Sequence, residues 1–147
     1  MSIQAVPFEL SIPALQQGYR SGSFTPHEVI AAIIERAERD IGMNIWIMPP
    51  EEERITPYLE GLKEMDPAVY PLWGIPFAVK DNIDVAGWPV TAACPDYVYA
   101  PDRHAPVVER LIRAGAIPVG KANLDQFATG LVGTRSPYGE THNALRP

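Results

Sequence analysis

Apolar positions recur at helical spacing through the first third of the chain and gather into short continuous runs after it. From Pro7 to Arg20, the apolar residues Phe8, Leu10, Ile12, Leu15 and Tyr19 predict an amphipathic first helix, ended by Ser21-Gly22-Ser23. Thr25 then offers a capping side chain, Pro26 a first-turn residue, and Glu28 the third-position carboxylate of a capping box. Val29, Ile30, Ile33, Ile34 and Ala37 form one face of this second helix, whose end is crowded with charge from Glu35 to Asp40 and closed by Gly42. Asn44 to Met48 reads as a short strand, and Pro49-Pro50-Glu51-Glu52-Glu53 opens a third, acidic helix.

Beyond residue 70 the periodicity changes. Trp73-Gly74 is a turn, and Ile75, Pro76, Phe77, Ala78 and Val79 predict a buried strand, with the proline near its start where a missing N–H is tolerated. Asp84 to Pro89 is a turn and Val90 to Pro101 an irregular apolar loop. Pro106 begins a helix through Val107, Val108, Leu111, Ile112 and Ala114, capped by Gly115, and Ala116 to Gly120 is a second short buried strand. Leu124 to Phe127 is expected to be a short helix, followed by a glycine-rich loop from Gly130 to Pro147 that reads as a cut end. No repeat, linker or low-complexity tract interrupts the series.

One cation, Lys80, stands where the first of these strands runs out, followed by Asp81 and Asn82. A lysine carried into an apolar environment is costly to keep charged, and complete burial lowers such a group by about 3–5 pKa units. A neutral amine near pH 7 is a general base. The plainer alternative is a lysine that snorkels to solvent or pairs with Asp81 or Asp84.

Composition narrows the function. A net charge of −6 without any basic run argues against nucleic acid and anionic membranes as partners. A single cysteine, Cys94, forms no internal disulfide, and no stretch is long and apolar enough for a bilayer, so the cytoplasm is the expected compartment. Gly115-Ala-Ile-Pro-Val-Gly120-Lys121 has the spacing of a phosphate-binding loop, but Ala122 replaces the magnesium-holding hydroxyl and the apolar interior reads as a strand. His27, His104 and His142 lack metal-ligand spacing and read as surface residues. Cys94 has no neighbour that would make it a thiolate and reads as a buried structural thiol. Ser136, in Thr134-Arg135-Ser136-Pro137-Tyr138-Gly139, reads as a turn serine.

Pro71-Leu-Trp-Gly-Ile-Pro-Phe-Ala-Val-Lys-Asp-Asn-Ile-Asp84 resembles the lysine segment of the amidase signature family. Val90-Thr-Ala-Ala, Ala105-Pro-Val-Val-Glu-Arg-Leu, Ala114-Gly-Ala-Ile and Gly120-Lys-Ala-Asn-Leu-Asp follow in that family's order. The run from Asn123 to Gly139 is similar to the allophanate hydrolase branch, with a biuret hydrolase, the amidase subunit of a glutamyl-tRNA amidotransferase or a non-catalytic amidase-like interaction fragment as the alternatives. The resemblance implies an α/β fold, a twisted mixed sheet covered by helices, of which residues 1–147 form the N-terminal portion. Its helical layer would span about 1–65 and its sheet with the lysine segment about 70–147. It also implies a Ser–cis-Ser–Lys hydrolase with Lys80 as base, Thr129, Gly130 and Leu131 lining the pocket of a small amide substrate, no metal or organic cofactor, and a homodimer when intact. In the family the two serines lie in and after a Gly-Gly-Ser-Ser-Gly stretch. Here Ser136 is the only serine after Lys80, so the catalytic pair is expected to lie outside this sequence. Ala122 in place of a usual threonine, and Arg103-His104 before the helix at Pro106, are smaller departures.

Overall fold

In the computed structural model, residues 9–143 and 145 are described. Helix α1 (Ile12–Ser21) starts later than its apolar spacing suggests, because the side chain of Ser11 accepts from the Ala14 amide and Pro13 occupies the first turn. Leu10 and Ile12 are consequently exposed, and Phe8 lies outside the described residues. Helix α2 (Pro26–Arg39) has the capping box expected of it. The Glu28 amide donates to Thr25 Oγ1 at 3.3 Å, and the Thr25 amide donates to Glu28 Oε2 at 2.7 Å. The helix stops at Asp40, before Gly42, and the left-handed residue that turns the chain is Asn44. Strand β1 (Trp46–Met48) and helix α3 (Glu52–Gly61) complete the first half.

Strand β2 (Pro76–Lys80), helix α4 (Pro106–Arg113) and strand β3 (Ile117–Ala122) form a β–α–β unit, with β2 and β3 parallel. Strand β1 joins β3 antiparallel, giving a mixed sheet in the order β1-β3-β2. The central strand, paired on both edges, is the most completely buried of the three. Ile117 and Val119 meet Ile30 of α2 and Ile55 and Leu59 of α3 in one cluster. Val79 of β2 meets Met48, Val85, Trp88 and Val108 of α4 in another. Gly115 turns the chain from α4 into β3 at φ +94°, and a Cβ there would lie 2.7 Å from Trp73 Cα, so only glycine fits.

Two expectations are corrected. Leu124 to Phe127 is no helix but an extended approach to one 3-10 turn over Gln126–Ala128, broken by a left-handed Phe127 at φ 53°. The strand ending at Lys80 is buried on one face only: Val79 is buried, while Ala78 and Lys80 are exposed. Sequence alternation alone does not tell which face of a strand finds a cover. No helix among the described residues is long and apolar enough to cross a membrane.

Ile117 is completely buried at the centre of the sheet. Ile117→Ala should lower unfolding free energy by about 2–5 kcal/mol in urea titrations, whereas Leu131→Ala should stay within about 0.5 kcal/mol.

Candidate active site

The register of β2 and β3 sets Lys80 opposite Ala122, and Val79 opposite Lys121. Side chains alternate between the faces of a strand, so the two lysines leave the sheet on opposite sides. Lys80 rises from the open face at the end of β2, with Ala78 two residues before it and Ala122 beside it. Its ammonium makes no hydrogen bond or ion pair among the described residues. Lys80 is therefore exposed among the described residues, where the sequence predicted a lysine set in a buried strand.

Lys121 is the buried lysine instead. It is 0% exposed, and its Nζ lies 3.4 Å from Asp81 Oδ1 and 3.5 Å from the Pro89 carbonyl oxygen. Burial holds its amine below the ordinary lysine value, against the opposing attraction and hydrogen bond of Asp81. Asp81 continues the alternation past the strand and turns to the covered face. There its other oxygen, Oδ2, accepts from the Thr91 amide at 3.0 Å and from the Thr91 hydroxyl. Thr91 Oγ1 in turn accepts from the Ala93 amide at 3.2 Å. The main chain of Asp81 bonds to both neighbours, donating to the Ala122 carbonyl and accepting from the Ala92 amide. The sequence signal for Lys121 was present: it follows a buried apolar strand as Lys80 follows its own.

Two loops next to this pair hold strained backbone. Ala92 and Ala93 have φ of 50° and 59°, and Phe127 and Ala128 have 53° and 56°. Left-handed conformation in non-glycine residues is costly and concentrates where a surrounding structure imposes it. Here the loops impose it on each other: the Phe127 amide donates to the Ala92 carbonyl at 2.9 Å, and Gln126 Nε2 to the Ala93 carbonyl at 3.0 Å.

The loop through Thr129, Gly130 and Leu131 wraps a buried carboxylate that sequence reasoning passed over. Asp125 accepts from the amides of Val132, Gly133 and Arg135 at 3.1, 3.0 and 2.7 Å. Those bonds, led by Arg135 and Gly133, hold its carboxyl below the usual carboxylate range. A Cβ on Gly130 would stand 2.4 Å from Asp125 Oδ2, so the close approach that demands glycine is to this carboxylate. The carbonyl of Thr129 accepts from Arg135, and the Leu131 side chain is wholly exposed.

Ser136 is the expected turn serine, donating to Asn123 Oδ1 at 2.7 Å and accepting from the Tyr138 amide. Asn123 also ties β3 to the Asn44 and Gly139 carbonyls. Cys94 is half-buried rather than buried. His104 is likewise no free surface residue: its Nδ1 accepts from the Ala86 amide and its ring tilts against Tyr58. Tyr99 donates to Asp84 at 2.6 Å, which together with burial pushes its hydroxyl up to about 12.

A family profile described as Amidase matches residues 28–147. The urea amidolyase of Saccharomyces cerevisiae is 57% identical over 99 residues, 67% of this chain and 5% of that protein. A glutamyl-tRNA(Gln) amidotransferase subunit from Lactobacillus johnsonii is 36% identical over 135 residues, 90% of this chain and 27% of that one. Among solved structures, a variant of Kluyveromyces lactis allophanate hydrolase superposes with a TM-score of 0.77 at 40% identity, covering 90% of this chain and 22% of its own. The chain thus spans under a third of each of these relatives.

The lowered Asp125 carboxyl stabilises the fold above its unfolded value of about 4, and that contribution is lost as pH falls toward the folded value. Urea unfolding of wild type and Asp125→Asn between pH 3 and 7 should show a gap that is constant above about pH 5 and narrows below 4. An equal gap at pH 3 and pH 7 would mean that charge on Asp125 contributes nothing.

Proposed function

Because the chain belongs to the amidase signature family, we propose that it is the base-bearing portion of an amide hydrolase acting on allophanate. The observation that carries this is the setting of Lys80: a lysine at the end of β2, on the open face, without a bonded partner among the described residues and beside the small residues Ala78 and Ala122. Such an amine has room above it for a nucleophile and a planar substrate. The 57% identity to a urea amidolyase and the 40% identity to an allophanate hydrolase support that substrate over others in the family.

In the proposed reaction, neutral Lys80 receives a proton, through a bridging serine, from a nucleophilic serine in the part of the amidase domain beyond these residues. The serine oxygen attacks the amide carbonyl, and the tetrahedral intermediate collapses. The proton held on Lys80 returns through the bridging serine to the departing nitrogen, which leaves as ammonia. Water then cleaves the acyl-enzyme with the same lysine as base. The carboxylated product breaks down to carbon dioxide and a second ammonia. The strained turns at Ala92-Ala93 and Phe127-Ala128, with Thr129, Gly130 and Leu131, form the near wall of the pocket. The intact enzyme is read as a cytoplasmic homodimer that needs no metal or organic cofactor.

A second reading, the amidase component of a glutamyl-tRNA amidotransferase, is favoured by the longer alignment to that relative, 135 residues at 36% identity. Substrate preference separates the two. A polypeptide carrying this stretch together with its serine-bearing remainder should release ammonia from allophanate in preference to glutamine. Lys80→Ala should lower kcat by about 10²–10⁴-fold, the usual contribution of a general base. The 147-residue chain alone should release none. Release by the short chain that vanishes with Lys80→Ala would overturn the placing of the nucleophile outside it.

A further inference from the structure

A general base works only if it loses its proton near the working pH, and a neighbouring carboxylate opposes that by stabilising the protonated amine. Lys80 is followed directly by one aspartate and, four positions on, by another. The titratable groups of the segments around it are Asp81 and Asp84 on its own segment, Cys94, Asp96, Tyr97 and Tyr99 on the next loop, Lys121 on β3 and Asp125 beyond it. Asp84 accepts the Tyr99 hydroxyl at 2.6 Å. Asp125 is enclosed by three amides. Asp96 sits on the exposed turn Pro95–Tyr97.

Asp81 is the neighbour that matters, and its carboxylate is fully engaged. Both its contacts with Thr91 and its ion pair with Lys121 lie on the face away from Lys80. Pair and threonine are buried together, with Asp81 1% and Lys121 0% exposed. As a unit the pair is neutral, so Lys80 meets a dipole through the strand rather than a net anion.

We propose that Lys121 is a positioning residue that holds the Asp81 carboxylate on the covered face of the sheet and thereby leaves Lys80 without a counterion. The inference rests on the reading of Lys80 as a base, and it assigns the second lysine a role by elimination of charge, not by contact with substrate. It also explains why a lysine is buried at this site when an apolar residue would fill the same space: an apolar residue would leave Asp81 Oδ1 unpaired and the carboxylate held by Thr91 alone.

The chain has three lysines, Lys63, Lys80 and Lys121, whose labelling can be followed separately by mass spectrometry. In carbon-13 NMR of aspartate-labelled chain, the Asp81 carboxyl signal should stay in place in Lys80→Met, a change confined to the exposed face. It should not follow Lys80 when pH is raised. Lys121→Met should slow acetylation of Lys80 by acetic anhydride at pH 8 about threefold or more relative to Lys63, and move the rate profile to higher pH. Lys121→Arg should return both toward wild type. An Asp81 signal that shifts in Lys80→Met overturns the proposal, as does an unchanged Lys80 rate in folded Lys121→Met. If Lys121→Met does not fold, the Lys80→Met spectrum decides alone. Neither readout involves turnover, so absence of ammonia release from the longer polypeptide would count against the hydrolase reading while leaving these signals as stated.

Discussion

Placing a lysine in a protein interior costs several kcal/mol unless an anion accompanies it, and here Asp81 accompanies Lys121. Removing one member of such a pair typically costs about 3–5 kcal/mol, because the other is left charged and unpaired. The geometry around the pair gives that energy a direction. Asp81 belongs to the chain leaving β2, Lys121 to β3, and Thr91 to the loop that carries Ala92 and Ala93 in left-handed conformation. Three segments far apart in sequence are thus fixed to one point. Phe127 and Gln126 bond to that loop in turn and bring in a fourth. The strain at four non-glycine residues is sustained because this network over-determines them.

Local signals were legible wherever they are decided by nearest neighbours. The capping box of Thr25 and Glu28, the first-turn prolines of α2 and α4, and the turn at Ser136 all follow from residues at most three positions apart, and all stand as read. The two strands of the β–α–β unit were legible as apolar runs. Exposure was not. Lys80 and Lys121 end apolar strands of similar composition, yet one is solvated and one enclosed. The difference comes from register: alternation sends them to opposite faces, exposed at Lys80 and packed at Lys121. Asp125 was illegible for another reason. Its ligands are three backbone amides in a loop seven to ten residues on, and amides leave no mark in a sequence. The predicted helix at Leu124 to Phe127 failed through the same loop, which draws Phe127 into a left-handed conformation incompatible with a continuing helix.

Gly130 has a structural role inside its own loop. A Cβ there would meet the Asp125 carboxylate of the same loop. The glycine lets the chain fold over its own anion, and the fold in turn fixes the path of Thr129 and Leu131. On the proposed function, the pocket wall is shaped from behind, by a buried carboxylate and its amides.

The exposure of Lys80 has a consequence for how a base on this sheet could be activated. Water stabilises the charged form of an amine, and so does a counterion beside it. Two conditions must be met to change that: the counterion must be absent and the solvent must be excluded. Only the first can be met by residues 9–143, and the pairing of Asp81 with Lys121 meets it. The second requires a layer over the open face of β2. On the proposed reading that same layer brings the serines, so desolvation of the base and delivery of the group it deprotonates are one event. On that reading, a lysine activated in this way gains its reactivity only when the nucleophile is in place.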